Sequence, residues 1–456
     1  MAYLRDFLSF LWYNVSVEME VKKMRFKTLK YHYKANTNEI AMLKLLCRIS
    51  KNLYNASLYY LRQYYFEHNT IPSYFDTNNA LKNNENFHII NTYQSICTIR
   101  CAHNNMMKFI KMHGSLPKYL PKNGFYPLYT DQIRPIVYNG HNYIKLPLSN
   151  DMRTNKVFVN TYQDKLINNS IEEYSKKKSI NIFFKIPKLI ENKEIHQVRI
   201  VPDKRGEYYT IEFSYKDDEY EVNPVDDKIM GIDLGVTNLA SCVMYNNESF
   251  IIDGKVLLSK IQLTSKRLAK LQSDLPNGIY TSKRIESLRR KNTNYIDDYL
   301  NKAVRELLNK AKENNISQII VGWNKGIKTG GIKNESLKGK KRAKANQKFI
   351  LFPISKFKNK LILKGIEYGI NIIEINEPYT SVSSFYDNDE IKKDKPRSGK
   401  RIQRGLYKRK DGTIINADIN AALNMIKKYK RNSNDTVIKY LMSRGLTIPY
   451  RVYVNM

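Results

Sequence analysis

A chain of 456 residues is too long for one ordinary hydrophobic core, so two or three units are expected. Lys and Arg number 77 against 43 Asp and Glu, a formal charge of +34 that argues for a polyanionic partner, since each neutralised phosphate releases a condensed counterion. Four cysteines, Cys47, Cys97, Cys101 and Cys242, exclude a disulfide framework and lack zinc-ribbon spacing.

The opening "LRDFLSFLWYNVSV" is too short to span a bilayer and is broken by Arg5 and Asp6, so residues 1–23 read as an N-terminal extension with no membrane partner. "MRFKTLKYHYKA" (24–35) alternates as a strand does. "NEIAMLKLLCRISKNLYNASLYYLRQYYFEH" (38–68) has the period of one long helix. A polar loop follows, then a helix over 91–114 closed by Gly114. Residues 115–222 alternate short aromatic and β-branched runs with turn residues, a β-rich pattern. The 34 tyrosines offer the flat surface on which RNA and single strands stack.

Beyond the turn-rich "EVNPVDDK" (221–228) the pattern becomes α/β. Strands at "IMGIDLGV", "ASCVMYN" and "ESFIIDG" are hairpin-spaced, and a basic helical stretch covers 255–314. Strands "ISQIIVGWN" (316–324) and "INIIEINEP" (370–378) flank a mainly helical segment at 346–369. A basic loop then leads to a helix over 414–430. Two runs are charge-biased, 337–348 and 392–410, the second with ten Lys or Arg against Asp394 alone.

Asp233 is the one ionisable residue in the apolar run "MGIDLGVTN" (230–238). That string resembles both the first phosphate loop of the actin-like ATPases and the first motif of RuvC-type nucleases, which share the ribonuclease H-like sheet. The ATPase reading needs a second Gly-rich loop after a later strand, and "NGHN" and "KTGG" follow none. The nuclease reading needs further carboxylates to hold two divalent cations. Glu377 ends the strand "INIIEINE" and Asp418 opens the helix "ADINAALNMI". Singly, these read as a surface Glu and a helix N-cap; in this order behind Asp233 they form a set.

The strings "EPYTSVSS" and "GKRIQRGLYKRKDGTIINADINAALNM" resemble the C-terminal half of TnpB, the transposon-encoded RNA-guided nuclease related to Fanzor and to the type V CRISPR nucleases. "SKNLYNASLYYLRQ" and "SLPKYLPKNGFYPL" extend the resemblance into the N-terminal half. It implies a β-barrel wedge domain over 24–37 and 115–222, a helical recognition insertion over 38–114, and a ribonuclease H-like RuvC domain over 226–456. It further implies Mg²⁺-dependent DNA cleavage by two ions, with Mn²⁺ as a substitute, held by Asp233, Glu377 and Asp418. The partners implied are a guide RNA derived from the transposon end and double-stranded target DNA with a short adjacent motif, base pairing choosing the rest. The location is intracellular: cytoplasmic or nucleoid in a bacterium, nuclear in a eukaryote or virus.

The chain departs from the family at three places. Most TnpB proteins carry the second catalytic Glu after the strand that here reads "IIVGWNK", where this chain has Gly322 and Trp323. A subset, and the Fanzor proteins, supply it just before "YTS", the position of Glu377. The usual Cys pairs are missing from 380–413, so no zinc is expected. Where relatives show H-K-x-S, this chain has Asn301, Lys302, Ala303 and Val304. Asp297 and Asp298 read as helix-surface acids. The alternatives to a guided nuclease are a guide-dependent DNA binder that does not cut and an RNA-independent transposase accessory protein.

Overall fold

The computed structural model describes residues 26–150, 152, 182–323 and 350–454, apart from 113, 218–219, 221, 223–226, 404, 432–434 and 446–447. The expected N-terminal extension and the basic run at 337–348 lie outside the described residues. The chain divides into two compact units near residue 220.

In the first unit β1 (Phe26–Tyr33) leads into α1 (Thr37–His68). Asn36 and Glu39 set that helix's start: Asn36 Oδ1 accepts the Glu39 N–H at 2.9 Å and Glu39 Oε2 accepts the Asn36 N–H at 2.8 Å. Asn69, with φ of 53°, ends it in the left-handed conformation. The stretch read as a polar loop holds α2 (Tyr74–Leu81) and α3 (Glu85–Ile89), each opened by a Ser or Asn cap and too short to show a period. α4 (Thr92–Met112) packs on α1.

The two N-terminal strings meet in space. Asn55 exchanges two hydrogen bonds with the Leu120 backbone at 2.9 Å each, and Lys51 Nζ donates to Lys122 O at 3.0 Å. β2 (Leu128–Thr130), β6 (Ile195–Pro202) and β7 (Tyr209–Lys216) join β1 in an antiparallel sheet of order β1-β7-β6-β2. A smaller sheet contains β3 (Pro135–Tyr138), β4 (His141–Lys145) and β5 (Phe183–Lys185). Leu43, Leu46, Phe184 and Phe213 lie in the shared core.

The second unit opens with β8 (Ile229–Leu234), β9 (Asn238–Met244) and β10 (Ser249–Asp253), an antiparallel meander. The basic stretch is two helices, α5 (Lys255–Ser273) and α6 (Lys283–Glu313), parted by the turn that Pro276 and Gly278 allow. β11 (Gln318–Trp323), α7 (Ile354–Glu367) and β12 (Asn371–Asn376) follow. Then come β13 (Lys400–Gln403), β14 (Leu406–Lys408) and β15 (Ile414–Asn416), and last α8 (Ala417–Lys430), α9 (Thr436–Ser443) and β16 (Tyr450–Val452). The main sheet has order β12-β11-β8-β9-β10-β16, with β11 parallel to both its neighbours. This is the ribonuclease H-like arrangement, with β16 added at one edge. Met230, Ile232, Ile319 and Val321 face a core shared with α5, α6 and α7. Ile229 and Val243 face α8 and α9 through Ala422, Leu423, Ile426 and Ile438. Among the described residues no helix is long and apolar enough to cross a membrane.

Candidate functional site

Alternation along β8 decides where Asp233 points. Met230 and Ile232 enter one core, so Ile229, Gly231 and Asp233 share the α8 side. Gly231 has no side chain because α8 lies against the strand there: a Cβ would stand 2.4 Å from Ala422 O. Asp418 is one helical turn before Ala422, so the same close approach carries it toward Asp233.

Asp418 is not the helix cap. Asn416 fills that role, its Oδ1 accepting the N–H groups of Asp418 and Ile419 at 3.0 Å each. The Asp418 carboxylate accepts from Asn238 Nδ2 at 2.7 Å and from Arg401 Nη2 at 3.1 Å.

Parallel pairing brings in the third carboxylate. Val321 pairs with Ile232, so the next step in register sets Gly322 beside Asp233. Gly322 pairs with Ile375, and Glu377 lies two residues on, on the same face. Asp233 keeps some contact with solvent but is enclosed by protein on nearly every side. Its carboxyl is held well above the ordinary range, first by burial, then by the charges of Glu377 and Asp418, with Arg401 opposing. Burial also raises Glu377, and Lys428 opposes. Among the described residues no three His, Cys, Asp or Glu side chains form a group that could hold a metal ion.

A cavity of about 990 Å³ opens along β12, lined in part by Lys392, Lys427, Lys428 and Arg431. Glu374 and Glu390 line it as well, Glu390 pairing with Lys392 at 2.5 Å, and Lys428 Nζ donates to Pro378 O at 3.1 Å.

A family model described as a probable transposase, the OrfB type of IS605, matches residues 211–328. A second, the TNB domain of Cas12f1-like proteins, matches residues 355–425. A cryo-EM structure of a Cas12f1–sgRNA–target DNA complex superposes with a TM-score of 0.56 at 16% identity, covering 86% of this chain and 83% of that one. Over residues 211–328 and 355–425 the matches support a TnpB-like family. The mini-RNA-guided endonuclease CRISPR-Cas_phi3 superposes with a TM-score of 0.42 at 13% identity, covering 95% of each chain. No curated protein matches the chain.

Against that TnpB-like frame, the strings that carried the resemblance acquire physical roles. Asn420 and Asn424, both fully buried, grip the "YTSVSS" loop from α8. Asn420 Nδ2 donates to Ser383 O at 2.8 Å while its Oδ1 accepts the Phe385 N–H at 3.0 Å. Asn424 Nδ2 donates to Thr380 O at 2.9 Å and Ser383 O at 2.7 Å. With Lys428 they form an i, i+4, i+8 stripe that ties the chain just after Glu377 to the helix bearing Asp418.

The insertion at residues 380–413 contains no Cys or His, and carboxylates tie the segment together. Asp389 Oδ2 accepts the Ser384 N–H at 2.8 Å, and the Ser398 N–H reaches both its oxygens at 3.2 Å. Asp387 Oδ2 accepts from Ser384 Oγ at 2.5 Å and from the Lys410 N–H at 3.3 Å. Tyr407, fully buried, donates to Val382 O at 3.0 Å. The basic loop expected here is the three-stranded sheet β13-β14-β15, on which Arg401 pairs with Tyr407 and reaches Asp418.

Sequence reasoning missed Asn238, Arg401, Asn420 and Asn424 as working residues. All four stand inside quoted strings, but nothing separated Arg401 from nine other cations in its run. Asp297 and Asp298 are helix-surface acids, paired with Lys356 at 2.8 Å and Lys302 at 2.9 Å.

Proposed function

We propose that the chain is an RNA-guided DNA endonuclease of a transposable element, cutting phosphodiesters at Asp233, Glu377 and Asp418. The observation that carries this reading is that two carboxylates, Glu377 after a strand and Asp418 on a helix, oppose the charge of a third, the buried Asp233. A divalent cation would relieve that repulsion, and an all-carboxylate donor set suits hard Mg²⁺ or Mn²⁺. Asp233, Glu377 and Asp418 would hold it. Two such ions, when bound, supply an activated water and stabilise the leaving oxygen of an in-line displacement.

The chain's own residues prepare that chemistry. Burial and the charges of Glu377 and Asp418 raise the pKa of Asp233, and a cation held beside it would lower that pKa again. Asn238 and Arg401 fix the two oxygens of Asp418. Arg401, partly exposed on the insertion, also offers a guanidinium of the shape that pairs with a phosphate. Lys392, Lys427 and Arg431 give a backbone purchase beside the site.

The Cas12f1 relative is described in complex with sgRNA and target DNA. For this chain we assign the same classes of partner: a guide RNA from the transposon end, and duplex DNA with a short adjacent motif. Residues 24–37 and 115–222 then act as the wedge and 38–114 as the recognition insertion, with RuvC chemistry in 226–456. On α5 the cations Lys255, Lys260, Lys266, Arg267 and Lys270 face no acid of that helix, and they suit a phosphate backbone.

Coexpression with flanking transposon DNA tests the reading. A discrete copurified RNA and Mg²⁺-dependent cutting of a matched target are expected, with cutting lost in Asp233→Ala and Asp418→Ala while target binding persists. Cutting without RNA would favour a plain transposase. A second reading, a guided binder that does not cut, draws support from the vacant slot at Gly322. Target binding with no cutting in any divalent metal would establish it.

A further inference from the structure

The C-terminal strand β16 lies far in sequence from every motif above, yet it reaches the site. It pairs in parallel with β10, Arg451 opposite Ile251. From there Arg451 Nη1 donates to Asn238 Oδ1 at 3.1 Å and to Asp253 Oδ1 at 2.8 Å. Asp253 is 2% exposed, ends β10 opposite Asn238, and uses its Oδ2 to accept the Lys255 N–H at 2.9 Å. Asn238 Nδ2 in turn donates to Asp418 Oδ2 at 2.7 Å. We infer that Arg451, backed by Asp253, is a positioning residue that orients Asp418 through the amide of Asn238; its catalytic consequence rests on the nuclease reading above.

Hydrogen-bond chemistry supports the direction of this chain. The two ends of an asparagine amide are nearly equal in shape but opposite in polarity. A guanidinium only donates, so the end facing Arg451 must be the carbonyl, which leaves the NH₂ facing Asp418. Asp418, an acceptor only, selects the NH₂ end, and Arg451 anchors the opposite carbonyl; without that anchor the Asn238 side chain is free to swing off Asp418 toward another partner. Asp253 keeps the arginine in place: a buried carboxylate satisfied by a helix N–H on one oxygen and a guanidinium on the other has little reason to release either. Asp418 is thereby held from two sides, by Asn238 across the sheet and by Arg401 from the insertion.

The test uses the full chain with its guide. Arg451→Met should lower the maximal single-turnover cleavage rate by about 10- to 100-fold, the loss typical of removing a partner behind a ligand, and raise the Mg²⁺ needed for half-maximal rate. The half-saturating target concentration should not move. Arg451→Lys, still a pure donor, should recover part of the rate. Adding Asn238→Ala to Arg451→Met should cost little more than the larger single loss, since both act through one amide. A wild-type rate in Arg451→Met, or losses that multiply in the double variant, would overturn the inference. If the uncompensated Asp253 prevents folding, Arg451→Met with Asp253→Asn removes the stranded charge and is measured instead. A crystal structure of the variant gives a readout apart from cleavage: Asn238 should no longer donate to Asp418. If it still does, the inference fails whatever the rate. If wild type never cuts but the variant's amide turns, the nuclease reading fails and the positioning stands.

Discussion

A β-carbon built on Gly322 would lie 3.5 Å from Glu377 Cγ, so the carboxylate of one strand end overlooks the vacant position on the next. Glu377→Gln keeps size and removes one charge. Its single-turnover cleavage should fall by about 100-fold or more, with the thermal midpoint nearly unchanged. Restoring Glu at 322 meets an obstacle that sequence hides: the same β-carbon would stand 2.3 Å from Met425 Cε. Gly322→Glu alone should therefore destabilise by about 1–3 kcal/mol, and rescue of Glu377→Gln should require Met425→Ala as well. Cleavage by Glu377→Gln at the wild-type rate would remove Glu377 from the site.

Asp233 carries a pH signature. Its folded-state pKa lies above the unfolded one, so the native protein holds that proton more tightly. Without divalent metal, the stability it contributes is full below the unfolded carboxylate range and declines as pH rises through the folded pKa. Asp233→Asn should abolish that decline and melt higher than wild type at neutral pH in EDTA, while losing cleavage. Equal melting points across the acid-to-neutral range would contradict the burial argument.

For the insertion, the residues to test are Asp387 and Asp389. Asp389→Ala leaves the Ser384 and Ser398 N–H groups without their acceptor, a loss of about 1–3 kcal/mol for an unsatisfied buried group. Hydrogen exchange at 398–410 should quicken, and cleavage should weaken as Arg401 loosens. Neither a zinc-specific chelator with excess Mg²⁺ nor thiol reagents acting on 380–413 should matter, since that segment has no Cys or His. Stoichiometric zinc by elemental analysis would contradict this.

The asparagine stripe on α8 is the fourth test. Asn420→Ala strands the Phe385 N–H in a buried setting and leaves the Ser383 carbonyl to Asn424 alone, so it should cost about 1–3 kcal/mol by denaturant unfolding. Asn424→Ala should cost a similar amount. Each should slow cleavage beyond its effect on stability, because the loop they hold begins at Glu377. A variant that is destabilised yet cuts at full rate would confine them to a folding role.

Much of this protein could be read along the chain. Polyanion affinity follows from +34 of formal charge, and Asp233 stands out because an apolar strand has no use for a carboxylate. α1 and α8 announce themselves by period and β8 to β10 by hairpin spacing, all of them properties of near neighbours. Short helices such as α2 and α3 escaped because caps, not periodicity, define them. β16 escaped because three residues carry no pattern, and its partner β10 lies some two hundred residues away. The charge run at 392–410 could not reveal Arg401, since cations look alike until a fold brings one to a carboxylate. Likewise Gly322 read as a missing residue, and only parallel pairing of β11 with β12 shows whose side chain overlooks it. Periodicity and composition are local and survive in the sequence, whereas register and the meeting of distant side chains are set by which surfaces pack together.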